Sequence, residues 1–366
     1  MKPTAAVALS GGIDSLVTAY LLKSQGYHVI GLHFLSGAEC NHQPAEATTA
    51  TSISRPGPEE KARAKLHSIS EQLQIPLEVV DLSVPFQNEV INYFIHAYGS
   101  GQTPNPCLVC NPIIKFGHLL EAAERCNATK LATGHYARVH KDSQGQYHLF
   151  KGADPVKEQS YFLSRLTQRH LSRALFPLGG MTKHQTRQLA AQHALVPAVV
   201  RESQDVCFIR DTSYADFLSK QSGFQPEPGP IVTSDGRLIG THRGLHHYTV
   251  GQRRGINCPA ARPYYVLALQ PDHNRLVVGY QEDLLAWQCR VDQINWIGRA
   301  PTGPLNLKVK IRYRHRAVAA RLTPSESFGG IITFDRKQAA VTPGQGAAFY
   351  QDDELLGGGW IQPLPG

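Results

Sequence analysis

Residues 5–15 read Ala5-Ala6-Val7-Ala8-Leu9-Ser10-Gly11-Gly12-Ile13-Asp14-Ser15, a short apolar run followed by a glycine-rich turn. An apolar run of this length is typical of a buried parallel strand. The residues from Asp14 to Gln25 are predicted to form a helix that ends at Gly26. This order of strand, turn and helix predicts an α/β fold.

The turn Ser10–Ser15 has the composition of an anion site. Glycines let the backbone approach a phosphate closely, and the amide groups at a helix N-terminus attract negative charge. The turn lacks the lysine of a Walker A motif and does not match the dinucleotide pattern with three spaced glycines. The alternative interpretation is a tight turn with a serine or aspartate helix cap.

The alternation of predicted strands and helices continues along the first half of the chain. Strands are predicted at His28–Phe34, Leu77–Leu82 and Lys130–Thr133, and helices from Pro58, around Val84–Tyr98 and over Ile113–Arg125. Alternation of this kind predicts a doubly wound parallel sheet with ligands at the carboxyl ends of its strands. Gly37–Pro58, rich in Ala, Thr, Ser and Pro, is predicted to be a loop.

The composition changes at the Pro- and Gly-rich segment Ser222–Pro230. Short strand-like runs follow it, and no long helix is predicted beyond it. We therefore predict three domains: an α/β catalytic domain at 1–221, a small β-rich domain at 222–283 and a C-terminal β-barrel at 284–366.

Composition excludes several classes of protein. The 366 residues are 42% hydrophobic and 18% charged, which is typical of a globular protein. No apolar run approaches the roughly 20 residues that cross a bilayer, and the N-terminus does not match a signal peptide, so we expect a cytoplasmic protein without a membrane partner. The net charge of +8 permits a polyanionic partner.

Seven cysteines, an odd number, are spread thinly along the chain. This pattern favours thiols with a metal-binding or catalytic role over a secreted disulfide framework. Cys107 and Cys110 form a C-x-x-C pair, which can share a metal ion or a disulfide, although two incidental thiols would give the same spacing. Cys207 alone has the sequence context of a buried core cysteine.

Basic residues alternate with other side chains over Lys308–Arg316. In a strand, that alternation would place five cations on one face. We predict a strand whose basic face binds a phosphate backbone, with a plain solvated face as the alternative.

Six motifs in order resemble the tRNA-specific 2-thiouridylase family of the PP-loop ATP pyrophosphatase superfamily. They are Ser10–Ser15, Thr103–Phe116, Ala132–Arg138, Lys157–Leu163, Ser203–Ile209 and Thr249–Ile256. The resemblance implies an enzyme that uses ATP and Mg²⁺ to adenylate the 2-oxygen of the wobble uridine of tRNA. It also implies a sulfur-relay donor fed by a cysteine desulfurase.

Site residues follow from the resemblance, motif by motif. The catalytic cysteines are Cys110 and Cys207. The nucleotide-binding residues are Ala8, Leu9, Ser10, Gly11, Gly12, Ile13, Asp14, Ser15, Phe34 and Gly134, with Asp14 also a candidate Mg²⁺ ligand. The tRNA-contacting residues are Asn105, Pro106, Cys107, His135, Lys157, Glu158, Gln159, Arg312, Tyr313 and Gln345.

The sequence departs from the family at Cys107, where many members carry aspartate. Sulfur could pass through a persulfide on Cys207, with Cys110 completing release through a disulfide. Alternatively, Cys107, Cys110 and Cys207 could hold a [4Fe–4S] cluster with one open iron, and the additional thiol weighs slightly toward this route. Leu16 and Phe34 are further departures beside the nucleotide site.

Two other functions fit the fold. Another PP-loop ligase would adenylate a carbonyl without needing the cysteines, and a catalytically silent tRNA-binding protein would keep the fold alone. The intact turn Ser10–Ser15 and the paired Cys110 and Cys207 argue for the sulfurtransferase.

Overall fold

The computed structural model describes residues 2–38, 57–199, 206–209, 212–221, 223–325 and 328–363. Most of the predicted loop Gly37–Pro58 and the start of the motif Ser203–Ile209 lie outside these residues. The chain divides into two compact units. Unit 1 comprises residues 1–90, 107–208 and 353–355, and unit 2 comprises 91–106, 209–352 and 356–366.

A parallel sheet forms the centre of unit 1. Its strands, in spatial order, are β3, β2, β1, β4 and β7, and each neighbouring pair is parallel. Their bounds are β1 Thr4–Ala8, β2 His28–Leu35, β3 Leu77–Asp81, β4 Lys130–Ala132 and β7 Ala174–Leu175. Outside this sheet, β5 Ala137–Lys141 and β6 Tyr147–Lys151 form a hairpin, and β6 also pairs with Glu354 and Leu355. The predicted doubly wound α/β architecture is therefore confirmed.

Helices α1 and α2 pack on this sheet through leucine-rich faces. Leu16, Leu22 and Leu66 are buried with Val7 and Leu9 in one apolar cluster. The helices, in chain order, are α1 Ile13–Ser24, α2 Pro58–Leu73, α3 Ser83–Phe86, α4 Asn92–Gly99, α5 Cys107–Cys110, α6 Leu120–Arg125, α7 Gln168–Arg173, α8 Lys183–Gln192 and α9 Tyr214–Ser219.

The two predicted helices that follow β3 are longer and less regular than expected. The first runs from α3 through a π-helical stretch, Gln87–Ile91, into α4. The second begins at α5 and continues through the π-helical stretch Asn111–Leu119 into α6, so its start lies at Cys107 and not at Ile113. Wide π-helical turns of this kind are frequent at functional sites.

Unit 2 contains two β-structures. A four-stranded sheet in the order β10, β11, β8, β9 buries Ile231, Val266, Leu276 and Val278 in its core. Its strands are β8 Gly229–Thr233, β9 Leu238–His242, β10 Tyr265–Gln270 and β11 Arg275–Gly279.

The second β-structure is a closed barrel of six strands in the order β12, β15, β14, β13, β16, β17, with β12 pairing back to β17. The strands are β12 Leu285–Trp296, β13 Leu305–Lys310, β14 Val318–Pro324, β15 Gly330–Ala339, β16 Gly346–Gln351 and β17 Glu354–Gln362. Val291, Val309, Leu322 and Phe349 are buried in its core. The predicted C-terminal β-barrel architecture is confirmed, whereas the predicted domain limits stay a prediction.

The predicted basic strand Lys308–Arg316 is wrong beyond Lys310. Strand β13 ends at Lys310, and the chain turns before β14 begins at Val318. The His315 amide donates to the Arg312 carbonyl at 3.0 Å, which closes the turn. The alternating pattern misled the prediction because charged residues suit a solvated turn as well as a solvated strand face.

Candidate functional site

The turn between β1 and α1 is organised by two serines. The Ser15 hydroxyl donates to the Gly12 carbonyl at 2.9 Å and lies 3.3 Å from the Ser10 hydroxyl, while the Ser10 amide donates to Ser15 Oγ at 3.3 Å. Gly11 has a φ of +86°, a conformation that favours glycine. The turn therefore presents backbone amides and hydroxyls at the N-terminus of a 12-residue helix, as an anion site requires.

Asp14, in the first turn of α1, is bound by two side chains. The Lys183 ammonium lies 2.8 Å from both of its carboxylate oxygens. The Tyr136 hydroxyl donates to Asp14 Oδ1 at 2.9 Å, and burial raises the pKa of Tyr136, so this hydroxyl keeps its proton. The predicted magnesium ligand is thus already neutralised by a lysine.

Lys183 is itself held by the start of α8. Its backbone amide donates to Asp154 Oδ2 at 2.7 Å, and Thr182 and Gln185 form a capping box around it. Asp154 also accepts from the amides of Val156 and Lys157. These contacts fix the main chain of Lys183 beside the glycine-rich turn.

Gly134 follows β4 and packs directly on α1. A Cβ atom there would lie 3.0 Å from Asp14 Cβ and 3.2 Å from the Ser15 amide nitrogen. Only glycine therefore lets the end of β4 approach the turn this closely.

His135, the next residue, is buried, and its Nδ1 lies 2.7 Å from the Thr133 hydroxyl. Burial, and secondarily the charge of Lys115, hold the pKa of His135 well below its usual value, so it is neutral near pH 7.

Three phenylalanine rings pack in a row between a predicted nucleotide-binding residue, Phe34, and the segment that carries Cys207. The Phe34 and Phe86 rings lie 6.2 Å apart, and Phe208 packs edge-on against Phe86 at 5.8 Å. Phe208 is buried while its neighbour Cys207 is exposed. The buried ring thus anchors the segment that presents the Cys207 thiol.

Cys107 and Cys110 begin and end the single turn α5. Cys110 is buried, and burial raises its pKa to about 12. Cys107 reaches solvent, yet the surrounding protein raises its pKa to about 11. None of the six described cysteines is in a disulfide, and Cys40 lies outside the described residues.

Cys207 lies close enough to both thiols of α5 to interact with them electrostatically. The charge of Lys115 opposes the effect of burial by lowering the pKa values of Cys107 and Cys110. Both cysteines that the sequence predicts to be catalytic therefore lie in unit 1, within electrostatic range of each other and of Lys115, which also acts on His135.

The described part of the chain contains no group of three His, Cys, Asp or Glu side chains arranged to hold a metal ion. The three thiols have the right ligand chemistry for a cluster, but the arrangement seen is not a metal-binding group. No helix among the described residues is long and apolar enough to cross a membrane.

The predicted tRNA-contacting block Lys157–Gln159 is largely engaged in local structure. Glu158 is buried, and its carboxylate accepts from the Ser160 amide. The Gln159 side-chain carbonyl accepts from the Tyr136 amide at 3.0 Å. Lys157 is half-buried beside them.

In unit 2, Gln345 holds the segment that precedes the C-x-x-C pair. Its amide donates to the carbonyl of Thr103 at 2.9 Å and lies 3.4 Å from that of Pro104. Asn105 and Pro106 follow directly, with Pro106 buried and Asn105 half-buried.

The turn between β13 and β14 carries the other predicted tRNA contacts. Arg312 donates to the carbonyls of Ala339 and Ala340 at 3.2 and 3.3 Å. Lys310 lies 5.3 Å from the centre of the Tyr313 ring, a cation–π distance. Arg314 and Arg316 are exposed.

Three family models match the chain: a "tRNA methyl transferase HUP domain" over residues 3–211, a "tRNA methyl transferase PRC-barrel domain" over 215–280 and an "Aminomethyltransferase beta-barrel domain" over 287–361. A tRNA-specific 2-thiouridylase of Desulfosudis oleivorans is 51% identical over 99% of this chain and 95% of its own length. That of Geotalea uraniireducens is 41% identical, over 97% and 94%. The chain belongs to the tRNA-specific 2-thiouridylase family. The resemblance predicted from the six motifs is confirmed.

Among solved structures, a 4-thiouridine synthetase in complex with RNA and ATP matches with a TM-score of 0.33 and 19% identity, covering 56% of this chain and 44% of that one. This likeness is too loose to support a conclusion about the present chain.

Sequence reasoning missed three residues of this 2-thiouridylase-family site. Tyr136 and Lys115 lie inside motifs that carry the resemblance, so their positions were visible but their contacts were not. Lys183 lies in none of these motifs, and its only sequence signal is the helix start at Thr182. Its partner Asp14 is 169 residues away in sequence, which local patterns cannot connect.

Proposed function

We propose that this chain is an ATP-dependent tRNA sulfurtransferase that makes 2-thiouridine at the wobble position. The observation that carries the proposal is that Cys110 and Cys207 lie in the same compact unit as the glycine-rich turn Ser10–Ser15. Membership of the 2-thiouridylase family supports the same substrate and reaction.

ATP supplies the activating group. Ala8 and Leu9 lead into the turn Ser10–Ser15, whose backbone amides and hydroxyls donate to the phosphates, and Gly134 and Phe34 border the nucleotide. The uridine 2-oxygen attacks the α-phosphate, pyrophosphate leaves, and the adenylated oxygen becomes a leaving group. Mg²⁺ would neutralise phosphate charge during this step, with the Asp14 carboxylate as the hard oxygen ligand that suits it.

Sulfur then replaces oxygen. The terminal sulfur of a persulfide on Cys207 attacks uridine C2, and AMP departs with the oxygen. The Cys110 thiolate attacks the inner sulfur of Cys207, which breaks the sulfur–sulfur bond, releases the 2-thiouridine and leaves a Cys110–Cys207 disulfide. A solution thiol reduces that disulfide, and a relay donor fed by a cysteine desulfurase reloads Cys207.

Lys115 and His135 suit this chemistry. The Lys115 ammonium favours the thiolates of Cys107 and Cys110 against the effect of burial. The neutral imidazole of His135 can exchange hydrogen bonds with the uracil ring without adding charge beside the thiols.

A [4Fe–4S] cluster on Cys107, Cys110 and Cys207 is the alternative sulfur carrier. Thiolates are the ligands that such clusters take. Because no metal-binding group is assembled among the described residues, the persulfide is the sulfur carrier that we propose. Iron and sulfide analysis of anaerobically purified protein distinguishes the two carriers, since the persulfide route retains full activity without iron.

The tRNA is proposed to contact both units. By the family resemblance, Asn105, Pro106 and Cys107 contact the target base. The further tRNA contacts that the resemblance implies are His135, Lys157, Glu158, Gln159, Arg312, Tyr313 and Gln345. The exposed cations beside Arg312 supply attraction for phosphates.

Nucleoside mass spectrometry of tRNA from cells lacking this gene tests the function. We expect wobble 2-thiouridine to disappear and to return with the wild-type gene. Genes that carry Cys110→Ser or Cys207→Ser should fail to restore 2-thiouridine. The control Cys126→Ser should restore it, because Cys126 is a half-buried thiol that is not one of the three cysteines of the site. Unchanged 2-thiouridine in the deletion strain would contradict the proposal.

A further inference from the structure

The motif Thr249–Ile256 carries part of the family resemblance, yet the reaction scheme above uses none of its residues. In unit 2 it forms a loop that is tied to strand β10. The Gly251 amide donates to the Val266 carbonyl at 2.8 Å, and the Val266 amide donates to the Gln252 carbonyl at 2.9 Å. Val266 is buried in the core of the four-stranded sheet, so the middle of the loop is fixed to that core.

The Gln252 side chain closes the loop from within. Its carbonyl accepts from the Thr249 amide at 3.1 Å, and its amide donates to the Arg254 carbonyl at 2.8 Å. Gly251 and Gly255 have φ values of +88° and +84°, which favour glycine. The main chain between the two glycines is therefore held in one shape, and a ligand that binds there pays little to order it.

This fixed main chain carries two neighbouring arginines, Arg253 and Arg254, and both are exposed. Neither forms an ion pair with a carboxylate in the part of the chain that the structure describes. Arg262, an exposed arginine that precedes β10, differs because its guanidinium is paired with Glu282. Two adjacent unpaired guanidinium groups repel each other, and each offers a planar fork of donors that matches a phosphate group.

The loop is in contact with the segment that holds the turn between β13 and β14. A Cβ atom on Gly251 would lie 2.7 Å from the Cβ atom of Ala340, so the two main chains pack closely. The Ala340 carbonyl accepts from Arg312 at 3.3 Å. Ala340 therefore joins the loop to a turn that also presents exposed arginines, Arg314 and Arg316.

We propose that Arg253 and Arg254 bind the phosphate backbone of tRNA and extend the basic surface of the turn between β13 and β14. This proposal rests on the tRNA substrate proposed above. A run of phosphates is the ligand that suits several separate cations without anionic partners. Phosphate contacts fix the position of a nucleic acid without reading its sequence, so the pair contributes affinity and not the choice of uridine.

Filter binding of tRNA to the full-length protein at several salt concentrations tests the proposal. The double variant Arg253→Ala, Arg254→Ala should bind tRNA more weakly, and the slope of log affinity against log salt should fall by about 1.5, since each phosphate contact contributes about 0.7–0.9. The double variant Arg253→Lys, Arg254→Lys keeps both charges and should keep most of the slope. Arg262→Ala is the matched control and should leave the slope unchanged, because Glu282 already neutralises Arg262.

Urea unfolding checks that the alanine variant folds, and its midpoint should match the wild type because both side chains are exposed. An unchanged salt slope in the alanine variant would overturn the proposal, and it is the result expected if the pair binds an acidic protein instead. A lysine variant that loses as much slope as the alanine variant would also contradict it. A wild-type protein that binds no tRNA would instead contradict the proposed function.

Discussion

The Gln345 side-chain amide donates to the Thr103 carbonyl at 2.9 Å across 242 residues of sequence. The Thr103 amide in turn donates to the Pro343 carbonyl at 2.9 Å, and a Cβ atom on Gly344 would lie 3.0 Å from the Thr103 amide nitrogen. The turn around Gln345 is thus a clamp on the segment that leads to Asn105. The sequence around Gln345 shows only a Pro-Gly turn, whereas the structure shows that this turn holds the main chain at Thr103.

Replacing Gln345 by Leu should loosen this clamp. We expect a loss of about 0.5–1.5 kcal/mol in unfolding free energy, the usual net value of such hydrogen bonds, and a larger fall in tRNA thiolation than this loss alone would cause. Urea unfolding and a thiolation assay measure the two effects. Gln288→Leu, which removes a contact to the Thr333 hydroxyl in the same barrel, is the control. Equal thiolation in both variants would assign Gln345 a purely structural role.

Gly134→Ala should disturb the nucleotide turn. The added methyl group meets the backbone of Asp14 and Ser15 at 3.1–3.2 Å, atoms that cannot move aside independently. We expect destabilisation of about 1–3 kcal/mol and weaker ATP binding. Gly180→Ala, where nothing lies within 4 Å of the added atom, should leave both properties unchanged. Normal ATP affinity in Gly134→Ala would show that the turn tolerates the shift.

The thiols of α5 should react slowly with alkylating agents in the resting enzyme. The protein that surrounds Cys107 raises the pKa of its thiol from 9.0 to about 11, so the thiolate fraction at pH 8 is about 100-fold below that of an unperturbed thiol. Iodoacetamide labelling, followed by peptide mass spectrometry, measures the rates. Lys115→Met should slow the labelling of Cys107 and Cys110 further. Lys130→Met is the control and should not slow it, because the Lys130 ammonium donates to the Ser172 carbonyl. Faster labelling in Lys115→Met would show that the Lys115 charge does not favour the thiolates of Cys107 and Cys110.

His148 should make the stability of unit 1 depend on pH. Its imidazole lies 2.6 Å from Glu354 and 3.1 Å from Asp142, and hydrogen bonds to these carboxylates raise its pKa above 6.5. Because the folded-state pKa is raised, the contribution is fully present below pH 6.5 and is lost as the pH rises through the folded-state value. Urea midpoints between pH 5.5 and 8.5 should show this fall in the wild type.

His148→Gln should flatten that pH profile. His184→Gln, which alters an exposed histidine of α8, should retain it. A profile that stays steep in His148→Gln would place the titrating group elsewhere.

Strand β13, at Lys308, and the turn after it, at Arg314, should contribute phosphate contacts. Arg314→Ala and Lys308→Ala remove exposed cations and should each weaken tRNA binding and reduce its salt slope by about 1. Lys220→Ala removes an exposed cation at the end of α9 and should change neither quantity. If the salt dependence of tRNA binding is unchanged in Arg314→Ala, this turn does not contact the tRNA phosphates. Filter binding at several salt concentrations makes the comparison.

The sequence predicted the core of the fold well because its signals are local. Apolar runs identified β1 to β4 to within one residue at most ends, and the glycine-rich turn located the start of α1. The same kind of signal failed at Lys308–Arg316, where alternation continued into a turn. It also missed the early start of the helix at Cys107, because Pro106 and the C-x-x-C pair read equally well as a loop.

Local pattern and motif order therefore determined the α/β class, the barrel and the family, and they predicted the two catalytic thiols Cys110 and Cys207. Only the tertiary structure decided that Lys183 neutralises Asp14, that Lys115 lies among the thiols and that Gln345 holds Thr103. Secondary structure follows from neighbouring side chains and backbone geometry, which the sequence displays directly. Ion pairs and hydrogen bonds between distant residues depend on how strands and helices pack, and no local pattern encodes that packing.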